Sequence, residues 1–204
     1  MLSPSTIRTL QQAPRIEPDA STAYIAESGP QEGRFDARLR DLSGVNLSGE
    51  ILQRVDLRGS RLRGANLVAA NLELALLEGA DLREASLQRA RLQGARMAHA
   101  NLGNAQLHRA DLRAAVLKHA HLPYAILAHA NLERADLCSA DLAEADLRYS
   151  NLRRAKLDRA NPPARRRPAK CFLQKCRPDQ GRPACCRGPY VRLFSCAAGR
   201  GRPA

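Results

Sequence analysis

A leucine recurs at every fifth position of this chain from Leu42 to Leu157, without one insertion or deletion. The spacing defines 24 consecutive pentapeptides, and every centre is Leu except Met97, which fills nearly the same volume. A five-residue step advances about 500° around an α-helix and leaves each leucine about 140° from the last, so no apolar stripe forms. A strand alternates its side chains every two residues. Neither a helix nor a single strand therefore buries these leucines on one side.

A second restricted position lies two residues before each centre. It is Ala in 17 consecutive repeats from Ala65 to Ala145, and Asp or Asn immediately precedes 13 of the 24 centres. With Leu and Ala facing inward, each pentapeptide predicts one side of a coil, and a closed cross-section needs about four sides stacked at about 4.8 Å. We therefore expect about six coils. The Asp and Asn side chains are expected to hydrogen-bond local backbone, and Gly two places after a centre to provide a positive φ.

The predicted structural core consists of the 24 repeat centres. These are Leu42, Leu47, Leu52, Leu57, Leu62, Leu67, Leu72, Leu77, Leu82, Leu87, Leu92, Met97, Leu102, Leu107, Leu112, Leu117, Leu122, Leu127, Leu132, Leu137, Leu142, Leu147, Leu152 and Leu157.

The segments ANLVAANLE and ANLERADLCSADLAEADLRYSNL resemble the pentapeptide-repeat family, whose consensus is A(D/N)LXX. The resemblance covers about residues 40–160. It implies an all-β fold, a right-handed quadrilateral parallel β-helix, with the leucine at the middle of each side. It implies little about activity, because function lies in sites rather than in folds.

The chain divides into three segments. We expect a flexible N-terminal segment over residues 1–33, the β-helix over 34–161, and a basic tail rich in Cys, Pro and Arg over 162–204. Phe35 and Leu39 lie outside the leucine register and are expected to plug the N-terminal end of the coil. Glu50 occupies an inward position, where a charged group is costly, and this predicts an open end or a distorted first coil.

The formal charge of +13 belongs almost entirely to the tail, because residues 41–160 have a net charge of only +3 and residues 161–204 one of +10. The tail has the composition of an out-of-frame translation of GC-rich DNA, so we expect it to be disordered or not native. Its five cysteines lack the C-x2-C pair of most zinc modules. Its basic residues permit non-specific contact with nucleic acid, whereas the coil itself is not expected to bind nucleic acid.

No catalytic, metal-ligating or cofactor-binding residues are predicted, because a Leu and Ala interior leaves no pocket for convergent polar groups. Residues 20 apart are expected to stack on neighbouring coils. This places His99 above His119. It also aligns a charged column that is expected to pair weakly across coils; its members are Gln53, Glu73, Gln93, Arg113, Glu133 and Arg153. A partner surface is predicted at the C-terminal coils; it consists of Arg134, Arg148, Arg153, Arg154 and Arg159.

These features favour a non-enzymatic, rigid scaffold that binds an unknown protein partner. The family resemblance implies two alternatives: a DNA mimic that binds DNA gyrase or topoisomerase IV, and a bacterial effector delivered into another cell. DNA mimicry needs an acidic face, which the coil lacks. The N-terminus has no apolar segment typical of a secretory signal, and no membrane span is predicted. The expected location is the bacterial cytoplasm, and the sequence leaves the oligomeric state open.

Overall fold

The computed structural model describes residues 2–20 and 22–161. Parallel β-bridges join residues 20 positions apart, in an unbroken series from Asp36 with Asp56 to Asp141 with Asn161. Twenty residues are four pentapeptides, so the chain returns beside itself after every four repeats. Each side contributes single-residue bridges rather than an extended strand in the described part of the chain. The expected stacking of residues 20 apart is therefore confirmed.

We number the four sides of the coil from Leu42. The centres of the third side are Leu52, Leu72, Leu92, Leu112, Leu132 and Leu152, and those of the fourth side are Leu57, Leu77, Met97, Leu117, Leu137 and Leu157.

The backbone amides of a single repeat explain why Asp and Asn precede the centres. In repeat 66–70, the amides of Asn66, Leu67 and Ala69 donate to carbonyls of neighbouring coils at 2.9, 2.7 and 2.9 Å. The amide of Ala70 donates to the carbonyl of Leu67 at 3.1 Å and closes a turn. The remaining amide, that of Val68, donates to Oδ1 of Asn66 at 3.2 Å. All five amides of this repeat thus have a partner, as buried backbone requires.

The same side-chain bond forms at each of the 13 Asp and Asn residues that precede a centre. In each case Oδ1 accepts a hydrogen bond from the amide two residues later, which confirms the expected contact with local backbone. The residues are Asp41, Asn46, Asp56, Asn66, Asn71, Asp81, Asn101, Asp111, Asn131, Asp136, Asp141, Asp146 and Asn151.

The residue two places after each centre has a positive φ in every repeat from Gly44 to Arg159, and we call it the corner residue. Six corner residues are Gly, as expected, but the other eighteen are not, and their φ values lie between 54° and 61°. This conformation costs about 1–2 kcal/mol for a residue with a Cβ. The coil imposes it nonetheless, because the hydrogen bonds and the packed centres of each repeat leave no other path.

The interior is filled by the repeat centres and the alanines. Every centre from Leu42 to Leu152 is at most 2% exposed. Leu157 is only partly buried because no further coil among the described residues covers it. At the alanine position, the side chains of Ala65 to Ala140 are at most 1% exposed. The leucines and alanines of the described coils thus form one continuous hydrophobic core.

Helix α1, Pro4–Gln12, covers the N-terminal end of the coil. Ser3 caps the helix, since its Oγ accepts from the amide of Thr6 at 3.1 Å. Leu10 is fully buried within the main hydrophobic core. The inward-facing Glu50 meets this helix, because the hydroxyls of Ser3 and Thr6 both donate to its Oε2. Glu50 therefore lies at an end of the coil that α1 closes.

Helix α2, Ala23–Glu27, packs against the fourth side. Its Ile25 is fully buried over two glycines that lie 20 residues apart. A Cβ built on Gly59 would lie 3.1 Å from Cδ1 of Ile25, and one built on Gly79 would lie 3.2 Å from the same atom. The contact therefore depends on the absence of side chains at both positions.

Two arginines of the fourth side bind the C-terminal end of α2. Arg38 Nη1 donates to the carbonyl of Ile25 at 3.1 Å. Arg58 donates to Oγ of Ser28 and to the carbonyl of Gly29, both at 3.0 Å. Both arginines therefore tie the end of α2 to the fourth side through the carbonyls of Ile25 and Gly29 and the hydroxyl of Ser28.

The structure corrects the sequence expectation for the N-terminal residues. Residues 1–33 were expected to be flexible, but residues 4–12 and 23–27 form helices whose Leu10 and Ile25 are fully buried. Phe35 packs against the core as expected, whereas Leu39 lies at a corner against Gly59 and does not enter the core. The expectations for residues 162–204 fall outside the described residues.

Candidate partner-binding surface

Aspartate and arginine side chains of the coil form pairs, of which Asp56 with Arg58 is buried. Where Asp precedes a centre and Arg follows it, and likewise around Ala37, the guanidinium donates through Nε and Nη2 to the same carboxylate. In the pair Asp146 and Arg148, these distances are 2.8 and 2.7 Å. The five pairs are Asp36 with Arg38, Asp56 with Arg58, Asp81 with Arg83, Asp111 with Arg113, and Asp146 with Arg148. This two-point geometry orients the arginine as well as attracting it.

In four of the pairs the pKa of the carboxyl is lowered, namely those of Asp36, Asp81, Asp111 and Asp146. The hydrogen bond from Arg148 lowers the pKa of Asp146 below its ordinary value. At Asp111, burial acts to raise the pKa, but the hydrogen bonds from Arg113 and Gln93 outweigh it and the pKa is lowered. The exposed surface thus presents fixed, ionised side chains at neutral pH.

The charged column of the third side pairs across coils at some of its members. Gln53 donates to Glu73 on the next coil, at 3.1 Å from Nε2 to Oε2. Glu73 also pairs with Arg91, which precedes a centre on the next coil, whereas Arg113 pairs with Asp111 of its own repeat. The expected cross-coil pairing is therefore found at Glu73, while Arg113 binds within its own repeat.

The predicted arginine surface is only partly assembled. Arg134, Arg153 and Arg154 are exposed on the third side, and the amide of Arg134 donates to the carbonyl of Arg153 at 2.9 Å. Arg148 lies on another side and binds Asp146, while Arg159 is a corner residue of the fourth side. None of the ion pairs among residues 2–20 and 22–161 uses the guanidinium of Arg134, Arg153 or Arg154.

A groove of about 480 Å³ runs along the same side. Its floor is formed by two small corner residues, Gly94 and Ala114, and Leu74 walls one end with 47% of its surface exposed. Charged and polar side chains line the rest: Glu73, Gln93, Arg113, Glu133 and Arg134. Sequence reasoning missed this groove. The signal was present, since Leu74 is the one large aliphatic residue among the 24 corner residues.

Aromatic side chains stack on other edges of the coil. The rings of His99 and His119 lie 4.9 Å apart and 7° from parallel, which confirms the expected stacking. His129 stacks on Tyr149 at the same distance. No three His, Cys, Asp or Glu side chains converge as for a metal ion within the described ranges. The stacked imidazoles are surface features of successive coils.

A cluster of buried charges lies beneath α2. Asp56 is fully buried and paired with Arg58, and Glu78 is only 9% exposed. Oε1 of Glu78 lies 2.8 Å from Nε of Arg96, whereas its buried Oε2 has no hydrogen-bond partner in the described structure. Burial raises the pKa of Glu78 above its ordinary value of 4.5.

No helix of the described residues is long and apolar enough to cross a membrane.

Several solved structures similar to this chain are named as pentapeptide-repeat proteins or as a resistance protein. QnrB1, a plasmid-mediated fluoroquinolone resistance protein, is 17% identical over 63% of this chain and 76% of its own, with a TM-score of 0.49; in a second QnrB1 structure only 65% of that chain is covered. The pentapeptide-repeat protein Rfr23 from the cyanobacterium Cyanothece 51142 is 23% identical over 68% of this chain and 91% of its own, with a TM-score of 0.39.

A third solved structure is a pentapeptide-repeat protein from the Arabidopsis thaliana thylakoid lumen. It is 32% identical over 52% of this chain and 77% of its own, with a TM-score of 0.37. No curated protein sequence matches the chain. The family model described as Pentapeptide repeats, eight copies, matches residues 41–79, 75–113 and 125–161, which is more than half of the chain. The chain belongs to the pentapeptide-repeat family.

Proposed function

We propose that this protein is a non-enzymatic scaffold, a rod of six right-handed coils that binds a protein partner through its exposed side chains. The observation that carries the proposal is the division of each repeat. The centres and alanines fill the interior, and the residues beside the centres are the ones left to recognise another molecule. Their backbone is fixed in every repeat, so binding entails little loss of conformational entropy.

The third side is the best candidate for the contact surface. It combines the groove over Gly94 and Ala114 with three exposed arginines that no carboxylate of the described residues neutralises. Arginine is enriched where proteins bind one another, and an unpaired guanidinium favours a carboxylate of the partner. We therefore propose an acidic protein partner.

The gyrase alternative fits this surface less well. A protein that mimics DNA must present carboxylates in place of phosphates, whereas residues 41–160 carry 17 basic and 14 acidic groups. A gyrase supercoiling assay with and without the purified protein tests the alternative directly. Inhibition, or protection from a quinolone, would favour DNA mimicry over our proposal. Cytoplasmic action and delivery as an effector are both compatible with a scaffold role.

Affinity capture tests the scaffold proposal. The full-length protein and a variant with Arg134→Gln, Arg153→Gln and Arg154→Gln are immobilised side by side, and captured proteins are identified by mass spectrometry. The proposal expects an acidic protein that the wild type retains and the variant loses. Capture of the same proteins at the same level by both baits would contradict it.

A further inference from the structure

Ile25 packs on the fourth side against three corner residues of successive coils, and we call this place the seat of Ile25. The three residues are Leu39, Gly59 and Gly79, each 20 positions after the last. Cδ2 of Leu39 lies 2.9 Å from the position a Cβ on Gly59 would take, so the leucine leans over the glycine. Ile25 fills the space that remains above the two glycines. The protein itself thus shows how such a corner receives an aliphatic side chain.

The same order recurs 35 residues later on the third side, where Leu74, Gly94 and Ala114 occupy successive corner positions. Cδ2 of Leu74 lies 2.8 Å from the position that a Cβ on Gly94 would take, so Leu74 packs over Gly94 as Leu39 packs over Gly59. No counterpart of Ile25 lies above Gly94, since Leu74 is the only residue of the described structure within 4 Å of that Cβ position. The open space is the groove of about 480 Å³.

The charges beside the two seats differ in order. Beside the seat of Ile25 stand Arg38, Arg58 and Glu78, whereas Glu73, Gln93 and Arg113 stand beside the groove. The positive end of the groove therefore lies at Arg113 and Arg134, on the side away from Leu74. In the seat of Ile25 the arginines lie at the leucine end, where they bind carbonyls at the end of α2. In the groove they lie at the end away from the leucine, so a bound segment must present its negative charge there.

The anionic end of the groove is already engaged. Glu73 accepts hydrogen bonds from Gln53 and Arg91, and so has less capacity for a partner. At the other end, Arg113 uses Nε and Nη2 on Asp111. Its Nη1 remains outside the hydrogen bonds of the described residues, as does the guanidinium of Arg134. Four arginines gather at this end against two carboxylates; they are Arg113, Arg134, Arg153 and Arg154, with Asp111 and Glu133.

We propose that this groove binds a short segment of a partner protein. An aliphatic side chain of the segment lies over Gly94 and Ala114 against Leu74, and a carboxylate of the segment binds Arg113 and Arg134. The inference rests on the proposed scaffold function and names its site and the chemistry of its partner. Ala114 stands where the seat of Ile25 has glycine. Its Cβ holds the aliphatic group a few tenths of an ångström farther out, because Cδ1 of Ile25 lies only 3.2 Å from a Cβ on Gly79.

A peptide with the sequence of residues 19–30 provides the probe, since it contains the aliphatic Ile25 with an acidic residue on either side of it, Asp19 and Glu27, and can present a carboxylate to Arg113 in either direction. The peptide is titrated into the full-length, 15N-labelled protein, and amide chemical shifts are followed by NMR. The proposal expects saturable shifts at Gly94 and Ala114. Peptides with Ile25→Asn, or with Asp19→Lys and Glu27→Lys together, should bind about tenfold more weakly or not at all, because each loses one of the two contacts.

Three protein variants locate the binding. Gly94→Leu should abolish the shifts by filling the groove, and Ala114→Gly should strengthen binding by deepening it. Gly64→Leu is the control, since Gly64 has a similar φ and nothing lies within 4 Å of its Cβ position. Shifts confined to Gly59 and Gly79 would mean that the peptide displaces α2, and this result, or no shift at all, would overturn the proposal.

Two further outcomes separate this inference from the scaffold function. A captured partner that needs Arg134, Arg153 and Arg154 but is insensitive to Gly94→Leu would leave the scaffold intact and overturn the groove. Sedimentation of the wild type and of Gly94→Leu tests the other occupant, a second copy of this chain. Self-association that Gly94→Leu abolishes would assign the groove to that copy and overturn the assignment to a partner protein.

Discussion

Ile25 covers Gly59 so closely that a Cβ at Gly59 would lie 3.1 Å from Cδ1 of the isoleucine and 2.9 Å from Cδ2 of Leu39. This contact joins a helix that the repeat pattern does not include to the side of a coil that the pattern defines. It makes the N-terminal segment part of the folded unit.

Gly59→Ala should therefore destabilise the protein more than Gly64→Ala. Both glycines have a φ of +64°, so the strain of a left-handed alanine is common to the two variants. Only the alanine at 59 also meets Leu39 and Ile25, which adds about 1–3 kcal/mol. Denaturation midpoints in urea, followed by circular dichroism, compare the two variants. Equal midpoints would mean that α2 does not pack on Gly59 in solution.

The side-chain bond from Asn66 to the amide of Val68 should be measurable in the same way. Asn66→Ala leaves that amide without its partner and should cost about 0.5–1.5 kcal/mol. Ser86 occupies the equivalent position on the next coil, and its side chain makes no hydrogen bond in the described structure. Ser86→Ala should therefore change stability by less than about 0.5 kcal/mol. A larger loss at Ser86 than at Asn66 would contradict this account of the Asp and Asn preference.

Ionisation of Glu78 should lower the free energy of unfolding as the pH rises. Burial raises the pKa of its carboxyl above 4.5, so the folded state holds this proton more tightly than the unfolded state does. Its stabilising contribution is present below the unfolded pKa and is lost as the pH rises through the folded pKa. Glu78→Gln should remove this loss and be at least as stable as the wild type at pH 7, while the exposed Glu84→Gln should show no such gain.

The midpoint of urea denaturation of Glu78→Gln and Glu84→Gln, measured between pH 4 and pH 7, checks this prediction. Four aspartates that arginine binds act in the opposite direction. The pKa values of Asp36, Asp81, Asp111 and Asp146 are lowered, so their contribution to stability is lost on acidification. A wild-type curve parallel to that of Glu78→Gln over this range would show that burial of Glu78 has no effect.

Cys138 should resist alkylation. Burial, followed by the hydrogen bond and the negative charge of Asp136, raises the pKa of its thiol to about 11. Little reactive thiolate then exists at pH 8. Asp136→Asn keeps an oxygen that can accept from the amide of Cys138 but removes the charge, so alkylation should become faster. Peptide mapping after treatment with iodoacetamide measures the rate at this residue. An unchanged rate in the variant would remove Asp136 as a cause.

The repeat made the coil predictable because a five-residue period restricts the interior far more than the surface. Leucine centres, alanines, the Asp and Asn bonds and the stacking of His99 on His119 all follow from positions 5 and 20 apart. The pairing of the charged side chains followed only in part, because a side chain can reach a partner of its own repeat as well as one on the next coil. The carboxylate across its own centre is nearer than the one on the next coil, as Arg113 and Asp111 demonstrate.

The N-terminal helices and the groove required a different kind of reasoning. Ser3 and Pro4 form a helix start that a search confined to the repeat overlooks. Two corner glycines one coil apart are not a sufficient signal, since Gly44 and Gly64 have that spacing and nothing lies above either of them. What the two places share is a corner leucine one coil before a glycine, as at Leu39 and Gly59 and at Leu74 and Gly94. Both features depend on comparing corner residues of neighbouring coils rather than on reading the chain in order.

Isothermal titration of the captured partner tests the proposed scaffold function most directly. The wild type is compared with the variant that replaces Arg134, Arg153 and Arg154 by Gln, and with a control that replaces Arg8, Arg89 and Arg109, three exposed arginines outside every ion pair of the described residues. Both variants lose three positive charges. We predict binding at least about tenfold weaker for the first variant and unchanged for the control. Equal affinity of all three proteins, or an equal loss in both variants, would contradict recognition by the third side.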